Sequence, residues 1–183
     1  SSGGVRLNMI PREGGNRFSG DFKAVSRPGA WQSSNLTDRH KARNLTAGNA
    51  IDRIVDYTAS LGGPIMKDKL WFFTSGRTQS TEQSRQTTQT NIPFTSTTDD
   101  NRYEGKLTLG FSGAHRLQGD YLQVNQKGAN SATAAIGADA MDLRSLISRR
   151  DPMSLTTINY SGAIGSSLAL EAQYSSRRWT IKD

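Results

Sequence analysis

The sequence predicts an all-β chain, a partial antiparallel transmembrane β-barrel of about seven up-and-down strands with short periplasmic turns and long extracellular loops. Three observations carry that reading. Apolar and polar residues alternate with period two over separate stretches, most cleanly at Arg102 to Phe111, where Tyr103, Gly105, Leu107, Leu109 and Phe111 stand against Arg102, Glu104, Lys106 and Thr108. The longest fully apolar run is Leu70 to Phe73, far short of the roughly 18 residues of a helical span. The connections alternate long and short along the chain, as in outer-membrane barrels, whereas soluble sandwiches have no reason to keep all long connections at one end.

Ser1 to Ile10 alternates Val5, Leu7 and Met9 with Arg6 and Asn8, a short strand that Pro11 ends by withholding a donor. Arg17 to Val25 places Phe18, Gly20, Phe22 and Ala24 on one face and Ser19, Asp21 and Lys23 on the other, which makes the first wall strand. Its nine residues meet the roughly 9–11 of a tilted spanning strand. Ser26 to Arg53 reads as a surface loop, with one or two helical turns at Thr37 to Arg43 and Thr37 as N-cap. His40 and its basic neighbours suit a solvated loop face, or contact with a ligand or a lipopolysaccharide phosphate.

Ile54 to Leu61 is the second strand, with Val55, Tyr57, Ala59 and Leu61 on one face. It runs into Leu61-Gly62-Gly63-Pro64-Ile65-Met66-Lys67-Asp68-Lys69, where Gly62 and Gly63 permit positive φ and Lys67-Asp68-Lys69 forms a polar tip. Leu70 to Gln79 is the third strand. Trp71 and Phe73 alternate there with Phe72, which suits either an aromatic girdle at the barrel's lower rim or a core cluster. Ser80 to Thr98, rich in Ser, Thr and Gln, is a long exposed loop or two strand tips rising above the membrane.

After the fourth strand, Ser112-Gly113-Ala114-His115 makes a tight turn. Arg116 to Val124 returns with Leu117, Gly119 and Tyr121 facing one way and Arg116, Gln118 and Asp120 the other. Arg102, Glu104, Lys106, Arg116, Gln118 and Asp120 are therefore expected to face a water-filled lumen, to which their mixed charge is suited. Asn125 to Asp151 is a further long connection, with helical spacing over Ala138 to Arg149. Leu155 to Gly162 and Leu168 to Arg177 complete the strands around Gly162-Ala163-Ile164-Gly165-Ser166-Ser167.

Composition agrees. With 34% hydrophobic and 8% aromatic residues, a soluble core would be thin, but a barrel strand needs apolar side chains on its outer face alone. Zero cysteines remove disulfides and thiolate chemistry. The charge of +7 is scattered without a basic block, which argues against nucleic acid.

Two stretches carry a family resemblance. Leu61, Gly62, Gly63, Pro64 and Ile65 followed by Asp68, Lys69, Leu70, Trp71, Phe72 and Phe73 resemble the first periplasmic turn of TonB-dependent outer-membrane receptors, in particular the Oar-like branch. Gly3 to Gly20, including Asn8, Pro11, Arg12, Gly14, Gly15, Asn16, Phe18 and Gly20, resembles the junction where that family's plug ends and its barrel begins.

The resemblance implies a division into residues 1–16, the end of the plug and its hinge, and 17–183, the N-terminal part of the barrel. It implies a full barrel of about 22 strands around a plugged lumen. The implied partners are outer-membrane lipid, the plug of the same chain, the TonB energy-coupling complex through an N-terminal segment outside this piece, and an unnamed imported ligand. The implied location is the bacterial outer membrane.

Ser1 in place of Met, with no signal segment, makes the chain read as an internal piece. No GxSxG, HExxH, P-loop or GxGxxG occurs, so no catalytic residue, cofactor or metal is expected. Asp99-Asp100-Asn101 at a loop end could offer oxygens to calcium, though a polar strand entry explains it as well. Trp31 could stack on a sugar or peptide. The rival to the receptor reading is a surface-exposed or soluble antiparallel β adhesion module, whose apolar faces would point into a closed interior.

Overall fold

The structure, a computed structural model, describes residues 13–34, 36–42, 49–112, 114–131 and 140–182. Seven strands form one antiparallel sheet in chain order: β1 Ser19–Pro28, β2 Ala50–Met66, β3 Leu70–Gln86, β4 Pro93–Ser112, β5 His115–Ser131, β6 Ile147–Ile164 and β7 Leu168–Trp179. The ends joining β2 to β3, β4 to β5 and β6 to β7 lie on one side of the sheet, with two or three residues between them in sequence, while those joining β1 to β2, β3 to β4 and β5 to β6 lie on the other. The all-β antiparallel expectation holds, and no helix among the described residues is long and apolar enough to cross a membrane. The short strand expected over Ser1 to Ile10 lies outside the described residues.

The strands outrun their apolar stretches. Ser80 to Thr98 belongs mostly to β3 and β4, paired through Thr81 with Thr98, Glu82 with Thr97 and Ser84 with Thr95. These are the strand tips, not the loop. Backbone ladders need no apolar side chain, so polar residues carry the pairing past the point where the apolar face stops. Asp99-Asp100-Asn101 accordingly sits within β4 and not at a loop end.

The helical stretch expected over 138–149 shrinks to a 3-10 turn, Leu143–Ser145, because Ile147 onward pairs with β5. Asp142 starts that turn by accepting the Arg144 backbone N–H at 3.1 Å. The Thr37 cap is observed: Asp38–Lys41 is a short helix in a capping box between Thr37 and His40.

Residues directly opposite in an antiparallel pair share a face, so the register sorts the sheet into two sides. One carries Phe22, Tyr57, Ala59, Leu61, Phe72, Tyr103, Leu107, Leu109, Leu117, Tyr121, Ile158, Leu170 and Tyr174. The other carries Asp21, Lys23, Asp56, Ser75, Arg77, Arg102, Glu104, Lys106, Gln118, Asp120, Asn159 and Gln173. No second sheet covers either side among the described residues. Phe73 and Ala140 are the buried apolar side chains there, while Leu107, Phe22 and Tyr174 are more than half exposed. A soluble sandwich would bury such a face; this sheet leaves it open.

Candidate functional site: a strap docked on the polar face

Gly62 and Gly63 do not form the turn. Both lie in β2, neither with positive φ, and the turn proper is Lys67-Asp68-Lys69 with Asp68 at φ 62°. What the glycines provide is room, one on each face. A Cβ on Gly63 would overlap the Phe18 ring, which lies on the apolar side near Phe72. A Cβ on Gly62 would point to the polar side, 3.3 Å from the Phe72 carbonyl oxygen and 3.5 Å from the Gly14 Cα.

Gly14 itself approaches the β3 backbone so closely that an added Cβ would overlap the Phe72 carbonyl. The segment from Glu13 to Asn16 thus lies as a strap over the polar face, and Phe18 emerges on the apolar one.

Asn16 fastens the strap to the turn. Its Oδ1 accepts the Trp71 indole N–H at 2.7 Å and the Asp68 backbone N–H at 2.9 Å, while its Nδ2 donates to Asp68 Oδ1 at 2.5 Å. Trp71 and Phe73 both face the polar side, opposite Thr108 and Lys106. The alternation expected of Trp71, Phe72 and Phe73 is observed, with Phe72 on the apolar side and the other two on the polar side. The strap converts the other two into its own docking floor, with Phe73 8% exposed.

Glu13 supplies the charge. It pairs with Lys106 Nζ at 3.4 Å and closely with Arg116, and Lys106 has Asp120 at 3.7 Å on its other side. The Lys106 side chain is 1% exposed, so the ammonium is held between two carboxylates rather than by water. Asp120 Oδ1 makes no hydrogen bond among the described residues, which leaves the Lys106 charge as its compensation.

Farther from the turns, Arg77 grips Asp56 through two hydrogen bonds of 3.0 and 2.7 Å. Ser75 donates to Glu104 at 3.2 Å, Arg102 to Asp100 at 2.9 Å and Gln118 to Asp120 at 3.1 Å. Ser75, Arg77, Arg102, Glu104, Gln118 and Asp120 line an open groove of about 850 Å³.

The six residues expected to share a lumen side, Arg102, Glu104, Lys106, Arg116, Gln118 and Asp120, lie on one face by register. Of the junction residues, Gly14, Gly15, Asn16, Phe18 and Gly20 are described; Asn8, Pro11 and Arg12 lie outside the described residues. Gly20 sits in β1 opposite Leu61, where a Cβ would meet the Ser60 carbonyl at 2.7 Å. Gly15 has open space around it. Leu61, Ile65 and Lys69 are exposed, and Pro64 pairs with Trp71 at a register shift.

Gly113 lies outside the described residues, and Gly165 takes positive φ in its turn. Among the described residues no group of three His, Cys, Asp or Glu could hold a metal. His115 instead lies against Tyr160, 2.7 Å from its hydroxyl.

Sequence reasoning missed a tyrosine belt. Tyr103, Tyr121 and Tyr174 end the apolar face on their strands, and toward the loops that face turns polar, through Asn101 and Asp99, Gln123 and Asn125, and Ser176 and Arg178. The signal was there in the alternation, since each tyrosine is the last apolar residue of its set. Asn16 with Trp71 had no such signal, because 55 positions separate them.

Neither the family models nor the solved structures give a match to this chain. The chain is 41% identical over 73 residues to a TonB-dependent transporter, Oar, of Myxococcus xanthus. The matched stretch covers 40% of this chain and 7% of that protein's length. At a coarse level, the likeness supports the TonB-dependent receptor family.

Proposed function

We propose that this chain forms the plug-proximal wall of a TonB-dependent outer-membrane transporter that binds a solute at the cell surface and imports it with inner-membrane energy. The observation that carries the reading is the two-faced single sheet, uncovered on its apolar side and bounded there by tyrosines. In a bilayer the apolar face meets lipid, the belt meets the interface, and the polar face lines a lumen.

The strap from Glu13 to Asn16 is then the tether between plug and wall. Its contacts are polar and charged, and they border the groove of Arg77, Arg102 and Glu104. A pull on a plug attached at Glu13 would load Lys106, Arg116, Asp68 and Trp71 first. Division of the chain near residue 16, the coupling complex and the imported ligand belong to this proposal, supported by the Oar likeness and by the strap's position.

The test is protease access in intact cells carrying the full-length protein. Cleavage from outside within 29–49 and 132–146, with 67–69 and 165–167 reached only after the outer membrane is opened, is the expected result. Cleavage of the tight turns from outside would overturn the orientation. Equal cleavage at both ends in a soluble fraction would favour a soluble β module.

A further inference from the structure

Three cations line up outside the strap and the groove. Lys127 of β5 stands directly opposite Arg150 of β6. Arg150 in turn bridges to Lys182, the two backbones exchanging N–H to carbonyl bonds of 2.7 and 2.9 Å. Directly opposite residues share a face, with Cβ atoms about 4.5–5.5 Å apart. By register this is the face of Tyr121 and Ile158.

All three side chains are exposed, and no hydrogen bond or ion pair joins them to another described residue, whereas neighbouring Arg149 pairs with Asp151 at 2.8 Å. Asp99, opposite Lys127, is the one carboxylate in the row among the described residues. Like charges directly opposite destabilise a sheet, so the row costs the fold stability that an anion between the cations would return.

The backbone also shapes a receptacle. A register shift between Gly128 and Ser131, with Asn130 at φ 52° and its Nδ2 donating to the Thr95 carbonyl at 2.9 Å, bends β5 beside the row. The result is a recess of about 460 Å³ lined by Thr97, Asp99, Lys127, Ser148, Arg150 and Lys182.

Height narrows the occupant. Lys127 lies six residues beyond Tyr121. At about 3.3 Å per residue and a tilt of about 45°, that is about 14 Å past the edge of the apolar band. A phospholipid headgroup layer is only about 5–8 Å deep on each side. An anion at the row's level must stand on a taller headgroup.

We propose that Lys127, Arg150 and Lys182 form a site for phosphate groups carried on the saccharide headgroup of an outer-leaflet glycolipid. The arginine offers a planar fork to a phosphate and the lysines offer point charges beside it. The inference rests on the membrane reading above.

The test uses the full-length protein in detergent, titrated with a bisphosphorylated glucosamine-disaccharide glycolipid, its dephosphorylated counterpart and inorganic phosphate, read by native mass spectrometry and thermal unfolding. The phosphorylated glycolipid should bind and raise the unfolding midpoint. The triple variant Lys127→Gln, Arg150→Gln, Lys182→Gln should bind it about tenfold or more weakly, yet unfold no earlier than the parent without lipid, because like-charge repulsion is gone. Arg150→Lys, which keeps the charge, should lose less.

Equal binding by the triple variant, equal binding of the dephosphorylated lipid, or saturation by inorganic phosphate at matched concentration would each overturn the headgroup site. Labelling a cysteine at Leu107 in the same preparation separates the two readings. Protection there by detergent leaves the membrane wall standing while the headgroup site falls, and free reaction with a water-soluble probe removes both.

Discussion

The indole N–H of Trp71 donates to the side-chain oxygen of Asn16 at 2.7 Å, so the first turn of the sheet and the strap that crosses it are one hydrogen-bonded unit. The same oxygen takes the Asp68 backbone N–H, and the Asn16 amide returns a bond to the Asp68 carboxylate. Asp68 holds a left-handed backbone at the point where these bonds converge. Each of these bonds is modest on its own, so the fastening depends on all three together.

Asn16→Ala removes three hydrogen bonds at once. At about 0.5–1.5 kcal/mol each, the strap should loosen by about 2–4 kcal/mol. The check is hydrogen exchange of the full-length protein: faster exchange at the Asp68 amide and easier cleavage within 13–16, with β4 to β7 unchanged. Asn16→Asp, which keeps the acceptor but sets a charge beside Asp68, should loosen it too.

Gly63→Ala should destabilise by about 1–3 kcal/mol, because its methyl enters the Phe18 ring and the fold must shift one or the other. Combined with Phe18→Leu, much of that loss should return, a coupling that a double-mutant cycle in urea would read. Gly105→Ala and Gly119→Ala, which meet nothing within 4 Å, should be close to neutral.

Lys106→Ala strips the partner from Asp120 and half the partnership from Glu13. Full burial of such a pair would make the loss about 3–5 kcal/mol; Glu13 is 38% exposed, so a smaller loss is expected. Asp120→Asn together with Lys106→Met should recover part of it, because the uncompensated carboxylate is then gone. Urea midpoints of the three variants decide this.

Leu107→Arg should cost roughly 2–4 kcal/mol in lipid, as for a cation near the middle of a barrel's outer face. Thr74→Arg and Gly105→Arg, on the same face but level with Tyr121 near its edge, should cost less, about 0–1 kcal/mol. Gln118→Arg, on the polar side, should cost far less. Refolding yields into lipid vesicles give the comparison.

The faces were legible in the sequence because a strand's period is two, so alternation alone sorts Leu107 from Lys106 without any knowledge of the neighbouring strand. Strand ends were not, since Thr95 or Ser84 can continue a ladder with no apolar mark. The glycine pair pointed to the right place for the wrong reason: Gly62 and Gly63 looked like turn residues, and their true constraint is the approach of Gly14 and Phe18, far away in sequence. The bidentate Arg77 and Asp56 pair, the Glu13 bridge and the cation row of Lys127, Arg150 and Lys182 all depend on register between strands, which alternation does not specify.

In the proposed membrane wall, the uncovered apolar face meets lipid. Single cysteines at Glu104, Lys106, Leu107, Leu109, Gln118 and Tyr121 of the full-length protein, probed with lipid-restricted and water-soluble reagents, test it most directly. Reaction from lipid at Leu107, Leu109 and Tyr121 and from water at Glu104 and Gln118 is the expected result. Lys106 should be shielded from both until Asn16→Ala frees the strap. Water-soluble labelling of Leu107, Leu109 and Tyr121, or lipid-restricted labelling of Glu104 and Gln118, would contradict the membrane wall.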